Sequence, residues 1–319
     1  MSTDRASQFQ DGGRLAGQPD VAIVVDSACC LTPDLIRRWN ITLVPHELII
    51  DGRSYRDGVD ISPGEFYKML RDSRVVPTTA APRPQEFLDG MLAAGKSASN
   101  ILCITVSANF SVANRSALAA VETAGDSLSH CRIKVIDSQA AAGALGLVAL
   151  AAARWAHDGY GLEHIADRLD RLIPRVNLLA FLDSFNYLNR SGRVGKIKAW
   201  TGSLLGVRPL TELQGGEARL LERPRSRLRA MDRLVAIMKQ RVGRAPVVVN
   251  IMEAGSPEDA LVMERCIQDE INCQQMFISQ FSPVMGAHTG PGLLGVAFHA
   301  IEDEGITIRI WNRIRSFEL

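Results

Sequence analysis

Three short apolar segments in the first half of the chain share one pattern. Residues 21–25, 101–106 and 132–136 are rich in Val and Ile, and a polar loop and then a helical segment follow each of them. Apolar runs of this length, bounded by polar loops, are typical of strands buried on both faces. The helix after the third strand is apolar nearly all round, which indicates burial. The repeated strand-loop-helix unit predicts an α/β fold with a parallel sheet.

The second half of the chain has a different pattern. An amphipathic helix at residues 163–173 is closed by Pro174, and we place a domain boundary there. Strand-like segments follow at 247–252, 275–281, 293–299 and 306–310, with helices at 227–241 and 257–271. The predicted organisation is a disordered tail at 1–20, a three-layer N-terminal α/β/α domain at 21–174 and a C-terminal α+β domain with a mixed sheet at 175–319.

Composition excludes several classes of protein. The first twenty residues lack the apolar core of a secretory signal, and the longest apolar run, at residues 140–153, is too short to cross a bilayer. The formal charge is +1 with no basic stripe, so nucleic acid is not an expected partner. The six cysteines form no C-x-x-C and no metal-ligand pattern with histidine. We therefore expect a cytoplasmic protein with no metal, no cofactor and no integral membrane association.

Hydroxyl side chains follow the predicted parallel strands, at the sheet edge where open α/β folds bind ligands. Ser27 follows the first strand, and Ser107 and Ser111 follow the second. Ser111 is the predicted N-cap of the next helix, where backbone N–H groups favour an anion. Ordinary helix and turn capping explains any one of these serines taken alone.

Three further segments contain candidate binding residues. The Asp51-Gly52 dipeptide between residues 41–50 and 54–55 predicts a β-ribbon, and the PTTAAP sequence at 77–82 predicts a loop. The GAHTGPG sequence at 286–292 surrounds His288 with glycines and predicts a functional loop. Arg193 lies in SGRVG, and an arginine flanked by glycines suits phosphate recognition, although a solvated turn explains this segment from its residues alone.

Taken in order, these segments resemble the DegV family over residues 21–319. The matching pieces are VAIVVDSACCLTPDL, YRDGVDISPGEFYKML, PTTAAP, VSANFSVANRSA, VIDSQAAAGALG, YLNRSGRVGKIKAW followed by GVRPL, and GAHTGPG. The better-understood members of the family are the fatty-acid-binding subunits of bacterial fatty acid kinase. The resemblance implies the two-domain DegV fold, with a fatty acid bound between the domains.

By the same resemblance, the protein is a non-enzymatic carrier in phospholipid metabolism. It would hold a long-chain fatty acid and present the carboxylate to a separate kinase subunit, similar to dihydroxyacetone kinase, for acyl-phosphate formation. Thr79, Ser111 and His288 would bind the carboxylate, and Arg193 would face the kinase or its phosphate. An additional head-group site would comprise Ser27, Ser107 and Gly286. Ala80-Ala81 and Val112-Ala113 replace the family's Ser-Gln and Gly-Thr, which makes the head-group pocket less polar.

Two other functions are open from the sequence. A serine hydrolase or acyl-transfer enzyme would use Ser111 as nucleophile and His288 as base, with Asp26 or Asp137 orienting the imidazole. Ser111 lacks the flanking glycines of a nucleophile elbow. A subunit that binds a small ketone or sugar, as in the related dihydroxyacetone-kinase architecture, would contact its ligand through His288.

Overall fold

The computed structural model describes residues 20–72, 76–184, 186–192, 197–198 and 206–301. The tail predicted at residues 1–20 lies outside this part of the chain except for Asp20. The Asp20 carboxylate accepts hydrogen bonds from Ser99 Oγ and Asn100 Nδ2, both at 2.8 Å, so this residue belongs to the folded body. The strand predicted at 306–310 also lies outside the described residues.

Strands and helices alternate along the first half of the chain, and longer strands dominate the second. The strands are β1 (Val21–Asp26), β2 (Thr42–Val44), β3 (Glu47–Ile50), β4 (Arg53–Arg56), β5 (Thr78–Ala80), β6 (Asn100–Thr105), β7 (Arg132–Asp137), β8 (Asn177–Phe181), β9 (Ile197–Lys198), β10 (Leu210–Gln214), β11 (Glu217–Glu222), β12 (Val247–Glu253), β13 (Cys273–Gln280) and β14 (Leu294–Ala300). The α-helices are α1 (Pro33–Arg38), α2 (Pro63–Asp72), α3 (Pro84–Gly95), α4 (Ala113–Ala124), α5 (Ala142–His157), α6 (Leu162–Leu172), α7 (Asn186–Arg190), α8 (Arg227–Val242), α9 (Pro257–Glu270) and α10 (Pro283–Thr289).

The first sheet is parallel, in the order β2-β1-β6-β7. Helices α3 and α4 pack on it and on each other, and so do α5 and α6. On β1, Val24 faces Gly90 of α3, whereas Val21 and Ile23 lie beside Ala153 of α5. The sheet is therefore covered on both faces, which confirms the predicted α/β class.

The position of helix α5 between two sheets explains why its sequence is apolar all round. It contacts β1 of the parallel sheet and also β8, β12 and β14 of the second sheet, so two sheets enclose it. Two glycines permit the close approach: a Cβ atom built on Gly143 would lie 2.5 Å from Asn250 Nδ2, and one built on Gly146 would lie 2.5 Å from the Cys29 carbonyl oxygen. The predicted burial of this helix is confirmed.

The second sheet is mixed, as predicted, and has the order β13-β12-β14-β8-β10-β11-β9. Side chains alternate along β12: Val248 and Met252 join the core around α5, whereas Val249 and Ile251 join the core beneath α8 and α9. The sequence prediction identified β12, β13 and β14 and missed β8, β10 and β11. In the part of the chain that the structure describes, no helix is both long enough and apolar enough to cross a bilayer.

A third, antiparallel sheet has the order β4-β3-β5. Asp51 and Gly52 link β3 to β4 with φ values of 48° and 77°, the left-handed pair that a two-residue hairpin turn requires. The ribbon predicted from residue 41 is wrong in its first half, because the chain passes through Pro45 and β2 joins the parallel sheet instead. The PTTAAP segment, predicted as a loop, contains strand β5.

Candidate functional site

Two of the predicted carboxylate ligands meet directly. Thr79 Oγ1 lies 2.9 Å from His288 Nε2, within hydrogen-bonding distance, although the residues are 209 positions apart in the sequence. Thr79 lies on β5 and His288 in the last turn of α10, and both side chains are half-buried. The pair therefore joins the small antiparallel sheet to a helix from the second half of the chain.

The histidine lies on a helix rather than on the predicted loop. Pro283 begins α10 and Gly290 ends it, so only the second part of the GAHTGPG sequence is irregular. Gly286 is inside the helix, where a Cβ atom would overlap the Tyr67 hydroxyl and press on the Phe66 ring. This glycine serves the packing of α10 against α2, and its predicted role in a head-group site stays a prediction.

The start of α10 is fixed by buried polar groups from the first part of the chain. The Tyr67 hydroxyl donates to the Phe281 carbonyl oxygen at 3.0 Å, and the Ser282 N–H donates to Cys30 Sγ at 3.3 Å. Asp57 Oδ1 accepts from the Val284 N–H at 3.4 Å. The sequence reasoning missed these groups, because nothing in the local pattern around Asp57 or Tyr67 indicates a partner more than two hundred residues away.

The sequence analysis predicted that Ser111 is the N-cap of α4, and this prediction is wrong. Ser111 precedes α4 without capping it. Val112 occupies the N-cap position, and Ser111 Oγ accepts from the N–H of Ala113 at 3.2 Å. The hydroxyl oxygen is thus engaged as an acceptor, and its proton can still be donated to an anion. The role of Ser111 in binding a carboxylate stays a prediction.

The other loop hydroxyls have partners inside the fold. Ser27 Oγ donates to Asp57 Oδ2 at 2.6 Å and accepts from the His46 N–H at 3.0 Å. Ser107 Oγ accepts from the N–H of Asn109 at 3.3 Å. Both serines are buried. The hydroxyls of these two serines are therefore hydrogen-bonded to other residues of the protein. Their predicted role in a head-group site stays a prediction.

Within the described part of the chain, Ser111, His288 and the two aspartates Asp26 and Asp137 do not form the arrangement proposed for a hydrolase. The His288 imidazole contacts Thr79, and the Ser111 hydroxyl contacts Ala113. Asp26 contacts a different histidine, His46, at 3.2 Å and accepts from two backbone N–H groups. Asp137 accepts from the N–H groups of Ala108 and Gln139. The two aspartates proposed to orient His288 therefore have other partners.

Cys29 and Cys30, which are adjacent in the sequence, are both buried and are unsuited to redox chemistry. Burial raises the pKa of the Cys30 thiol to about 12, even though the N–H of Ser282 favours the thiolate. Burial also raises the pKa of Cys29 well above its ordinary value. Thiolate is the reactive form, so neither thiol is an effective nucleophile near neutral pH.

Arg193 lies outside the described residues. The helix that ends three residues before it, α7, contacts α10, and the Tyr187 ring packs against Gly290. The segment leading to the arginine is therefore adjacent to the helix that carries His288.

Comparison with known proteins identifies the family of this chain. The profile of the DegV family matches residues 20–300. The chain belongs to the DegV family. DegV relatives include a protein of Caldanaerobacter subterraneus subsp. tengcongensis, 33% identical over 87% of this chain and 98% of the relative. A DegV protein of Streptomyces coelicolor is also 33% identical, over 86% of this chain and 97% of its own length.

Solved DegV structures share the fold. A Thermus thermophilus DegV protein, described as fatty-acid-binding, superposes with a TM-score of 0.81 at 26% identity, covering 88% of this chain and all of that one. A stearic-acid-binding protein of Eubacterium ventriosum superposes with a TM-score of 0.78 at 25% identity, covering 88% and 98% of the two chains. The α/β architecture with its parallel and mixed sheets is thus the DegV fold.

Proposed function

We propose that this protein binds a long-chain fatty acid and that the Thr79–His288 pair receives its carboxylate. The observation that carries the proposal is the 2.9 Å contact between these two half-buried side chains. In this contact the His288 Nε2–H would donate to Thr79 Oγ1, and the Thr79 hydroxyl would then donate its own proton to a carboxylate oxygen. The pair would bind the carboxylate in this way without a fixed cation, which leaves the carboxylate nucleophilic.

The acyl chain would supply most of the binding energy. Burial of each methylene contributes about 0.8 kcal/mol, so roughly fourteen methylenes contribute about 11 kcal/mol before the cost of immobilising the chain. The fatty-acid ligands of the Thermus and Eubacterium structures support this class of ligand. We place the fatty acid between two domains that divide near Pro174, with Ser111 as a third donor to its carboxylate.

We further propose that the protein is not itself an enzyme. A separate cytoplasmic kinase subunit would phosphorylate the carboxylate, and Arg193 would contact that subunit or its phosphate. The position of α7 against α10 supports this division of roles, because it brings the chain before Arg193 close to the helix of His288. A guanidinium between glycines offers a bidentate fork to a phosphate group.

Extraction of the purified protein under denaturing conditions, followed by mass spectrometry, tests the ligand class. We expect a saturated or monounsaturated long-chain fatty acid in near-stoichiometric amount. The delipidated protein should then take up such a fatty acid in a fluorescence displacement assay. Recovery of a sugar or a small ketone, or delipidated protein that takes up no fatty acid, would overturn the proposal.

A further inference from the structure

The buried carboxylate of Asp57 is linked to both elements that supply the Thr79–His288 pair. Asp57 is fully buried, and each of its carboxylate oxygens accepts a hydrogen bond from a different part of the chain. Oδ1 accepts from the N–H of Val284, in the first turn of α10, at 3.4 Å. Oδ2 accepts from Ser27 Oγ at 2.6 Å. Asp57 is therefore a junction between α10 and the loop after β1.

The first connection leads to His288. Val284 and His288 are four residues apart on α10, which is about one helical turn, so they lie on the same side of the helix. A carboxylate at the start of a helix also interacts favourably with the positive end of the helix dipole. The hydrogen bond from Val284 to Asp57 therefore fixes the position of α10 along its axis and its rotation, and so the position of the His288 imidazole.

The second connection leads to Thr79. Ser27 Oγ, which donates to Asp57, accepts from the N–H of His46 at 3.0 Å, and His46 directly precedes β3. The Asp57 N–H donates in return to the His46 carbonyl oxygen at 2.9 Å. Strand β3 pairs with β5, and Leu48 is in register with Thr79. The position of the Thr79 strand is thus tied to the same carboxylate.

The two connections form a closed circuit with the ligand-site pair at one end and Asp57 at the other. We propose that Asp57 is a positioning residue, which sets the spacing between Thr79 and His288 and so the geometry in which they receive a fatty-acid carboxylate. This inference rests on the proposed function. Asp57 would not contact the ligand itself and would act through α10 and β3.

The energetic cost of the arrangement supports a positioning role. Burial of a carboxylate without a cationic partner in direct contact is unfavourable, and hydrogen bonds offset that cost only in part. Burial raises the pKa of Asp57 to about 6, although hydrogen bonds from Ser27 and Val284 and the nearby His46 favour the charged form. An apolar residue at this position would avoid the cost, but it would accept neither hydrogen bond.

The Asp57→Asn substitution tests the inference with little change of volume. An amide has one carbonyl oxygen, and its NH₂ group would face one of the two donors that Asp57 accepts. We expect the binding of cis-parinaric acid, a fluorescent long-chain fatty acid, to weaken about tenfold. The matched control is Glu253→Gln, since Glu253 is also buried and accepts two hydrogen bonds, from Ser256 and Gln280, outside the circuit. It should bind the probe as the unsubstituted protein does.

A spectroscopic readout separates positioning from general destabilisation. In protein labelled with ¹⁵N-histidine, the Nε2 resonance of His288 reports its hydrogen bond with Thr79, and it is assigned by its loss in His288→Gln. We expect this resonance to shift in ligand-free Asp57→Asn and to stay in place in Glu253→Gln. Equal probe binding by Asp57→Asn, or weaker binding with an unmoved His288 resonance, would overturn the inference.

Two further outcomes remain decisive. If Asp57→Asn does not fold, Ser27→Ala removes the side-chain part of the connection to β3 and leaves the backbone hydrogen bond between Asp57 and His46 in place. It should weaken probe binding and shift the His288 resonance in the same direction. An unchanged resonance in that variant would overturn the inference. If the unsubstituted protein binds no probe, the proposed function fails, whereas the resonance of the ligand-free protein still tests whether Asp57 sets the Thr79–His288 contact.

Discussion

Gly290 lies directly against the ring of Tyr187, so that a Cβ atom built on this glycine would overlap the ring carbons. The glycine ends α10, and the tyrosine lies on α7. Gly290 also has φ 77° and ψ 176°, a combination that is essentially restricted to glycine. The contact therefore joins the helix of His288 to the segment before Arg193, and no larger residue fits there without movement.

We expect Gly290→Ala to lower the free energy of unfolding by about 2–4 kcal/mol, because backbone strain and overlap with the Tyr187 ring add to each other. Urea denaturation measures the loss. The control is Gly159→Ala, at a glycine with φ 87° that has no atom within 4 Å of a built Cβ. That variant retains only the backbone strain, and a loss as large as that of Gly290→Ala would contradict the role of the tyrosine contact.

Thr79→Val removes the hydroxyl at the candidate site and keeps the shape of the side chain. We expect fatty-acid binding to weaken by about 1–3 kcal/mol, the cost of leaving a buried acceptor without a donor. His288→Ala should act likewise, and a titration with a fluorescent fatty acid measures both. Thr78→Val is the control, since Thr78 is the exposed neighbour on the same strand. Equal losses at Thr78 and Thr79 would show that the strand, not the hydroxyl, matters.

Ser111→Ala distinguishes a carboxylate ligand from a nucleophile. If Ser111 binds the carboxylate, Ser111→Ala should weaken fatty-acid binding by about 1–3 kcal/mol and should change no other activity. Titration of the variant with a fluorescent fatty acid measures that loss, and Ser116→Ala, in the helix α4 that follows Ser111, is the control. An esterase activity that is present in the unsubstituted protein and abolished in Ser111→Ala would instead support the hydrolase hypothesis.

Local patterns predicted the fold well wherever burial alone determines structure. The strands β1 and β6 and the apolar helix α5 follow from runs of apolar residues, and all three are confirmed as buried. Strand β7 is confirmed as a strand, but its predicted burial on both faces is wrong, because it lies at the edge of the sheet and its residues are half-buried or exposed. The Asp51-Gly52 turn follows from the conformations that its residues permit. The resemblance to the DegV family predicted Thr79 and His288 as site residues. No periodicity in the sequence indicates that these two residues are in contact. The division of the chain near Pro174 stays a prediction.

The failures have a common physical cause, since each depends on a distant partner. Strand β5 is short and hydroxyl-rich, and only its pairing with β3 makes it a strand. Helix α10 contains Gly286, which disfavours a helix locally, and the packing of Tyr67 against this glycine offsets that preference. Asp57 acquires its two main partners from residues 30 and 227 positions away. Tertiary contacts decide such elements, and a single sequence does not reveal them.

We expect Arg193 to lie at the surface, where substitutions usually shift stability by less than about 0.5 kcal/mol, so Arg193→Ala should leave fatty-acid affinity and stability nearly unchanged. Acyl-phosphate formation with a cognate kinase subunit should fall sharply in the same variant. Arg193→Lys should restore only part of that activity, because a point charge does not reproduce the planar fork. An Arg193→Ala protein that stays folded but binds no fatty acid would assign the arginine to the carboxylate itself.

Asp57 should give the stability of the protein a specific dependence on pH. Burial raises its pKa from the ordinary 3.8 to about 6, so the folded state holds this proton more tightly than the unfolded state. With more protons bound in the folded state, the free energy of unfolding falls as pH rises between about 4 and 6. A shift of roughly two units corresponds to a loss of at most about 3 kcal/mol. The contribution is complete below pH 4 and is lost above pH 6.

Urea denaturation of the unsubstituted protein and of Asp57→Asn, each measured from pH 4 to pH 7, isolates this contribution, because other titrating groups are shared. The unsubstituted protein should lose stability relative to the variant across the window, by up to about 3 kcal/mol. The charge of His46 lowers the pKa of Asp57 in opposition to burial. Replacing His46 with Gln should therefore move the window to higher pH. A difference between the two proteins that stays constant from pH 4 to pH 7 would show that Asp57 titrates alike in the folded and unfolded states.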